Sequence, residues 1–343
     1  MRYKLLGRSG VRVSELALGT MTFGEEWGWG ATRDESKKMF DAFVEAGGNF
    51  FDTANRYTEG TSEKLLGEFI AADRERWVVA TKYTLQTRLH DPSFSGNHKK
   101  NMKQALEASL KRLGTDYVDL YWLHAWDFTT QVDEVLRGLD DLVRQGKILY
   151  IGISDTPAWI VSQANTMADL RGWTPFTALQ LRYSLIDRTA ERDLLPMART
   201  FDLAVTPWSV IGAGVLSGKY NDPTSQATGR AKEGAAKIDR NLAIAKEVAA
   251  IASELGASST QVAISWARQQ RGVVIPLLGA RNLEQLRDNL GTLNVTLSNE
   301  QMSRLDKASA IEMGFPHEFL TSPGIRDLAF GGTFDMIDNH RKA

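Results

Sequence analysis

The sequence predicts a (β/α)8 TIM barrel, an α/β fold, on three observations. Eight short apolar runs rich in Val, Ile, Leu and Phe recur along the 343 residues, with longer stretches of helical spacing between them. The runs are continuously apolar rather than alternating, which is the pattern of parallel strands covered by helices. No Pro/Ser-rich linker or shift in composition divides the chain, so residues 1–343 read as one domain. Units of roughly forty residues suit a closed barrel; a doubly wound open sheet is the alternative that periodicity leaves standing.

The elements follow in order. KLLGRSGVRVSEL places two short apolar runs around Arg8-Ser9-Gly10, a β-hairpin ahead of the barrel. Strands are expected over 15–20, 48–53, 77–83, 116–124, 148–154, 176–183, 203–209 and 272–278. Helices are expected over 33–46, 62–72, 97–113, 131–145, 156–168, 189–201, 241–255 and 282–290. Thr32 or Asp34 opens the first helix and Gly47-Gly48 closes it. Arg112-Leu113-Gly114 and Arg144-Gln145-Gly146 end two others with a basic residue near a glycine, as the helix dipole and a left-handed cap favour. Residues 221–240 hold few large apolar side chains and many turn formers, so they form either a surface linker or a lid.

Composition removes several classes of function. With 41 Lys+Arg against 42 Asp+Glu, the chain lacks the basic surface that nucleic-acid binding needs. The absence of Cys excludes disulfides, thiolate nucleophiles, Fe–S clusters and Cys-ligated zinc. No run approaches the roughly 18 apolar residues of a membrane span, and MRYKLLGRSGVRVSEL lacks the apolar core of a signal peptide. A cytoplasmic metabolic protein with a small-molecule partner is expected, with a homo-oligomer left open.

In a barrel of this kind the chemistry gathers at the C-terminal ends of the strands. The second predicted strand ends at Asp52, with Tyr57 in the loop beyond, the third at Lys82 and the fourth at His124. The fifth ends at Ser154-Asp155, the sixth carries Gln180 and the seventh ends at Trp208-Ser209. A charged residue after several apolar ones is costly to bury unless it is paired. Asp52, Lys82 and His124 on adjacent strand ends therefore describe an acid–base site that needs neither metal nor covalent chemistry.

These residues and their surroundings resemble the aldo-keto reductase family, in particular its bacterial-type NADP-dependent members. GRSGVRVSELALGTMTFG, FFDTANRYTEGTSEKLLG, VVATKY, LYWLHAWD, GKILYIGISD and LLGARNLEQLRDNLG match the family's signature segments in order, over nearly the whole chain. The resemblance implies the barrel, NADPH bound without a Rossmann domain, and reduction of an aldehyde or ketone. It assigns Tyr57 as general acid, Lys82 as the cation that lowers the phenol pKa from about 10, Asp52 as its anchor and His124 as a hydrogen-bond partner of the substrate carbonyl. It places Gly19, Thr20 and Met21 along the cofactor cleft, Ser154, Asp155 and Gln180 at the nicotinamide carboxamide, and Trp208 against the ring. Ser209, Val210, Gly214, Leu216 and Lys219 fall on the pyrophosphate stretch. The GAGVLSG within it has GxGxxxG spacing after the seventh strand and fails as a Rossmann fingerprint.

Gly279, Ala280, Arg281, Gln285, Asp288 and Asn289 match the adenosine end, where Arg281 suits a 2′-phosphate and hence NADPH over NADH. Arg230, with Lys232, would close the 221–240 loop over the pyrophosphate. Asp155 departs from the family, which usually carries Asn there; a carboxylate cannot donate to the carboxamide oxygen. Trp27, Trp29 and Trp126 suggest an aromatic-lined pocket for the carbonyl or alcohol substrate. Two rival readings remain: an NADPH-binding, redox-sensing regulatory subunit with little turnover, and a metal-dependent barrel hydrolase using Asp52 and His124.

Overall fold

The computed structural model describes residues 1–221 and 238–339. Strands β1 (Tyr3–Leu5) and β2 (Arg12–Ser14) form the antiparallel hairpin, with Tyr3 opposite Ser14. Eight parallel strands follow: β3 (Ala17–Gly19), β4 (Phe50–Asp52), β5 (Val78–Tyr83), β6 (Val118–Leu123), β7 (Ile148–Ser154), β8 (Phe176–Arg182), β9 (Ala204–Trp208) and β10 (Leu277–Leu278). From β3 to β9 each strand pairs with the next in sequence, and β10 pairs with β3. The ring closes where the Val205 N–H donates to the Val273 carbonyl (2.7 Å) and the Ile275 N–H donates to the Val205 carbonyl (2.8 Å). The open-sheet alternative is thereby removed.

Helices α1 (Arg33–Glu45), α2 (Thr61–Ile70), α3 (Lys99–Leu113), α4 (Val132–Arg144), α5 (Ala158–Arg171), α6 (Leu194–Thr200), α7 (Asp239–Leu255), α8 (Ser259–Arg268) and α9 (Leu283–Leu290) alternate with the strands. The Thr32 side chain caps α1, and Gly114 closes α3 in the left-handed conformation at φ 64. Two corrections follow. Where one helix was expected between the last two strands there are two, α7 and α8, and the expected strand over 272–278 is reduced to β10. Pro276 lacks an N–H for the ladder, and only Val274 bridges to β9 before it.

The core has two layers. An inner cluster fills the barrel: Phe50, Val78, Ala80, Leu120, Trp122, Ala178, Ala204 and Ile275, closed at one end by Leu6 and Val13 of the hairpin region. An outer cluster packs alternate strand residues such as Phe51, Val79, Tyr121 and Ile153 against the helices, where Phe51 stacks on Phe40 of α1 at 4.8 Å. The period of two therefore sends Phe50 of β4, Val78 and Ala80 of β5, and Leu120 and Trp122 of β6 inward, and continuing each strand places Asp52, Lys82 and His124 at one mouth.

Residues Met1–Ser309 form one compact unit, to which α10 (Asn299–Ala308) belongs, and the chain from Ala310 forms a second. The second unit holds α11 (His317–Thr321) and α12 (Pro323–Phe330). Among the described residues no helix is long and apolar enough to cross a membrane.

Candidate active site

Four side chains converge at the mouth. Asp52 ends β4 and Lys82 lies near the end of β5, both fully buried and joined by an ion pair. The Lys82 ammonium also donates to the Thr53 carbonyl (2.9 Å) and lies 3.2 Å from the Tyr57 hydroxyl. Gln180 of β8 donates its amide N–H to the other Asp52 oxygen (3.2 Å), so Asp52 is held from two sides. Tyr57 opens a short 3-10 turn, Tyr57–Gly60, and its ring is boxed in. The His124 ring stands edge-on at 5.8 Å and 82°, the Trp27 ring at 6.4 Å and 79°, and the Lys82 ammonium lies 4.8 Å from its centroid.

The electrostatics are set by the buried Lys82–Asp52 ion pair and the groups around it. Burial works against the Lys82 charge, but Asp52 and Tyr57 outweigh it and hold the ammonium above the ordinary lysine value. Burial also raises the Tyr57 phenol above 10, and the lowering by Lys82 only partly offsets this. Lys82 acts in the expected direction, but the net direction is upward, because desolvating an anion costs more than one neighbouring cation returns. Burial, helped by Lys82, pushes His124 well below the ordinary imidazole value, so the ring is neutral at physiological pH.

Three residues at this mouth carry buried polar atoms without partners: the Ser154 hydroxyl, both amide atoms of Asn55, and Nδ1 of His124. Buried polar groups are nearly always bonded, so such a cluster marks a place for a polar ligand. An amide-bearing ring such as nicotinamide suits it. The loop after β9 is shaped for a close approach, with Ser209, Gly212, Ala213 and Gly214 all at positive φ. A Cβ at Gly214 would fall 3.1 Å from the Lys219 side chain, so that glycine lets the lysine fold over the turn.

The other expected cofactor residues divide by environment. Gly19 ends β3, and Met21 is partly exposed just beyond it. Thr20 is buried and bonded to the Asp52 carbonyl and Ser62, while Val210 and Leu216 are buried in the outer core; none of the three turns a free side-chain polar group to the mouth. Trp208 donates its indole N–H to Asp155 (3.1 Å), so this carboxylate has a partner within the protein. Arg281 is exposed at the entry to α9 with its backbone N–H on Gln285 (3.0 Å). Asp288 accepts from Gln261 (2.9 Å), and Asn289 donates to the Gly279 carbonyl (3.2 Å); both shape the loop. Arg230 lies outside the described residues.

A family profile, "Aldo/keto reductase family", matches residues 15–310. The chain belongs to the aldo/keto reductase family. Curated relatives include a norsolorinic acid reductase of Aspergillus flavus, 38% identical over 92% of this chain and 83% of its own. An aryl-alcohol dehydrogenase of Pestalotiopsis microspora is 37% identical over 98% and 91%, respectively. An aryl-alcohol dehydrogenase [NADP(+)] of Phanerodontia chrysosporium is 37% identical over 90% and 86%. The chain is thus an oxidoreductase of the aldo/keto reductase class.

For this aldo/keto reductase the sequence analysis passed over two features. Asn55 sits inside the DTANRY segment, yet no residue type or spacing marked its amide as unpartnered. The turn after Tyr57 is the other. Thr58 (φ 44) and Glu59 (φ 55) precede Gly60 (φ 92), so three consecutive residues are left-handed, which costs a non-glycine residue roughly 1–2 kcal/mol. The Thr58 hydroxyl compensates by donating to the Phe23 carbonyl (2.6 Å) and accepting the Ser62 N–H (3.0 Å).

Proposed function

We propose that this aldo/keto reductase reduces an aldehyde or ketone, with aryl carbonyls as the preferred class, using NADPH and Tyr57 as general acid. The observation that carries this reading is the Tyr57 hydroxyl 3.2 Å from a buried ammonium that Asp52 holds charged, with neutral His124 against the same ring. The two aryl-alcohol dehydrogenases among the relatives, one with NADP(+) in its name, support the substrate class and the cofactor.

Ser154 and Gln180 would hold the carboxamide, Trp208 the ring, Ser209, Gly214 and Lys219 the pyrophosphate, and Arg281 the 2′-phosphate. Bound NADPH supplies the hydride. Neutral His124 offers one N–H to the carbonyl oxygen and fixes its angle. Tyr57 gives its proton to that oxygen, and the phenolate left behind is stabilised by the Lys82 ammonium in a site from which water is largely excluded. Asp52 keeps that ammonium charged and aimed, and Gln180 keeps Asp52 aimed. Trp27, Trp29 and Trp126 would line the substrate side. Asp155 serves Trp208 in this reading, not the carboxamide.

The test is NADPH consumption against a panel of aryl aldehydes, alkyl aldehydes, ketones and sugars, with and without a chelator. Aryl-carbonyl reduction unaffected by chelator is expected. Tight NADPH binding with no turnover of any carbonyl would return the regulatory-subunit reading, and loss of turnover with chelator would return the metal-dependent one. Arg281→Ala is expected to narrow the preference for NADPH over NADH; an unchanged ratio removes the phosphate role.

A further inference from the structure

We propose that Glu59 is a positioning residue that fixes Trp27 against Tyr57, and that the Trp27–Trp29 pair so held is the wall that selects planar aromatic carbonyls. The inference rests on the reading of Tyr57 as the acid.

Trp27 lies in the loop after β3, and Tyr57 lies in the loop after β4. Side-chain bonds join the two segments, three of them near Trp27 and Tyr57. Thr58 donates to the Phe23 carbonyl (2.6 Å), Thr61 donates to Glu26, and the Trp27 indole N–H donates to Glu59 Oε1 (3.1 Å). The same Glu59 oxygen pairs with Arg56, whose guanidinium stands 5.8 Å from the Trp27 ring centroid. Arg56 and Trp27 together hold the Glu59 carboxyl below its ordinary value, so it is an anion at neutral pH. Trp27 thus has a hydrogen bond at its nitrogen and a cation at its face, and its ring meets Trp29 at 5.6 Å and Tyr57 at 6.4 Å.

Glu59 is exposed and adopts a left-handed conformation, so neither burial nor backbone preference accounts for its place. Among the described residues its side chain meets Arg56 and Trp27. The loop itself closes tightly, since a Cβ at Gly30 would fall 1.6 Å from the Gly24 carbonyl oxygen. A substituent on a carbonyl that reaches the Tyr57 hydroxyl meets this preset aromatic wall, and a flat ring gains from a wall that does not have to be ordered on binding. A short alkyl chain offers it little area.

The experiment compares steady-state kinetics of wild type, Glu59→Ala, Glu59→Gln, Trp27→Ala and the Glu59→Ala/Trp27→Ala double variant on 2-naphthaldehyde and butanal. Glu59→Ala is expected to raise KM for 2-naphthaldehyde roughly five- to tenfold, the scale of one lost hydrogen bond, with kcat within about twofold. For butanal its KM should move less than about twofold. Glu59→Gln keeps an acceptor for the indole N–H and should recover most of the loss. The double variant should be no worse than Trp27→Ala, because Glu59 acts through Trp27. Equal KM increases for both aldehydes, no change in Glu59→Ala, or fully additive losses in the double variant would each overturn the inference. Wild-type inactivity toward both aldehydes overturns the reductase reading and this inference with it. Full turnover by Tyr57→Phe would remove the acid assignment on which the inference rests, whereas the three kinetic outcomes above overturn the inference and leave that assignment standing.

Discussion

In the proposed role of general acid, Tyr57 combines two demands that pull against each other. A phenol raised above 10 by burial is a poor acid at rest, yet it is protonated at every physiological pH and so is always ready to donate. The Lys82 cation matters when the proton leaves and charge appears on the oxygen 3.2 Å away. The pH dependence follows with its sign. The phenol remains protonated below its raised value, and His124 remains neutral above its lowered one, so carbonyl reduction should be level from about pH 6 to 9. The rate should fall only on the alkaline side, as the phenol ionises. Alcohol oxidation, which needs the phenolate, should rise through the same alkaline range. Initial rates in both directions across pH check this, and an inflection near 6.5 (the ordinary imidazole value) would contradict a neutral His124.

At the scale of the element, the strands are what bring these groups together, and close packing keeps them there. Trp122 of β6 is fully buried inside the barrel, and Gly152 of β7 makes room for it: a Cβ at Gly152 would fall 2.3 Å from the Trp122 ring. Trp122 is the register partner of Lys82, so displacing it disturbs the site as well as the core. Gly152→Ala should therefore destabilise the barrel by about 1–3 kcal/mol, as overpacking does, and Trp122→Leu in the same chain should return part of that loss. Denaturant midpoints measure both. Much of this scale was legible in the sequence. Apolar runs ending in Asp52, Lys82 and His124 pointed to one mouth because a strand alternates with a period of two. Helix α8 was missed although Ser258 and Gln261 form a capping box at its start, since two helices in succession break the βα rhythm. The Trp27–Glu59 bond was not legible: it joins loops 32 residues apart through a turn whose left-handed backbone at Thr58 and Glu59 no glycine or asparagine announces.

At the scale of the molecule, the buried Lys82 ammonium is matched by Asp52, and the chain as a whole is nearly neutral. The formal net charge is −1, so any salt dependence should come from the cofactor phosphates and not from a broad surface field. Among the described residues no group of three or more His, Asp or Glu side chains could hold a metal ion. Saturating NADP+ should stabilise the whole fold by mass action. At about 100 times its Kd the gain is about 2.7 kcal/mol, readable as a rise of several degrees in Tm, and NAD+ at the same concentration should give less. Equal shifts from the two cofactors would contradict a role for Arg281 at the 2′-phosphate.

The most direct measurement is a comparison of wild type and Tyr57→Phe at equal NADPH occupancy, with single-turnover reduction of an aryl aldehyde and the NADPH Kd measured on the same samples. Loss of the hydroxyl should lower the rate of reduction by about 10²–10⁴-fold, the usual worth of a general acid, while the Kd changes by less than about twofold. A Tyr57→Phe variant that binds NADPH normally and turns over at the wild-type rate would contradict the account.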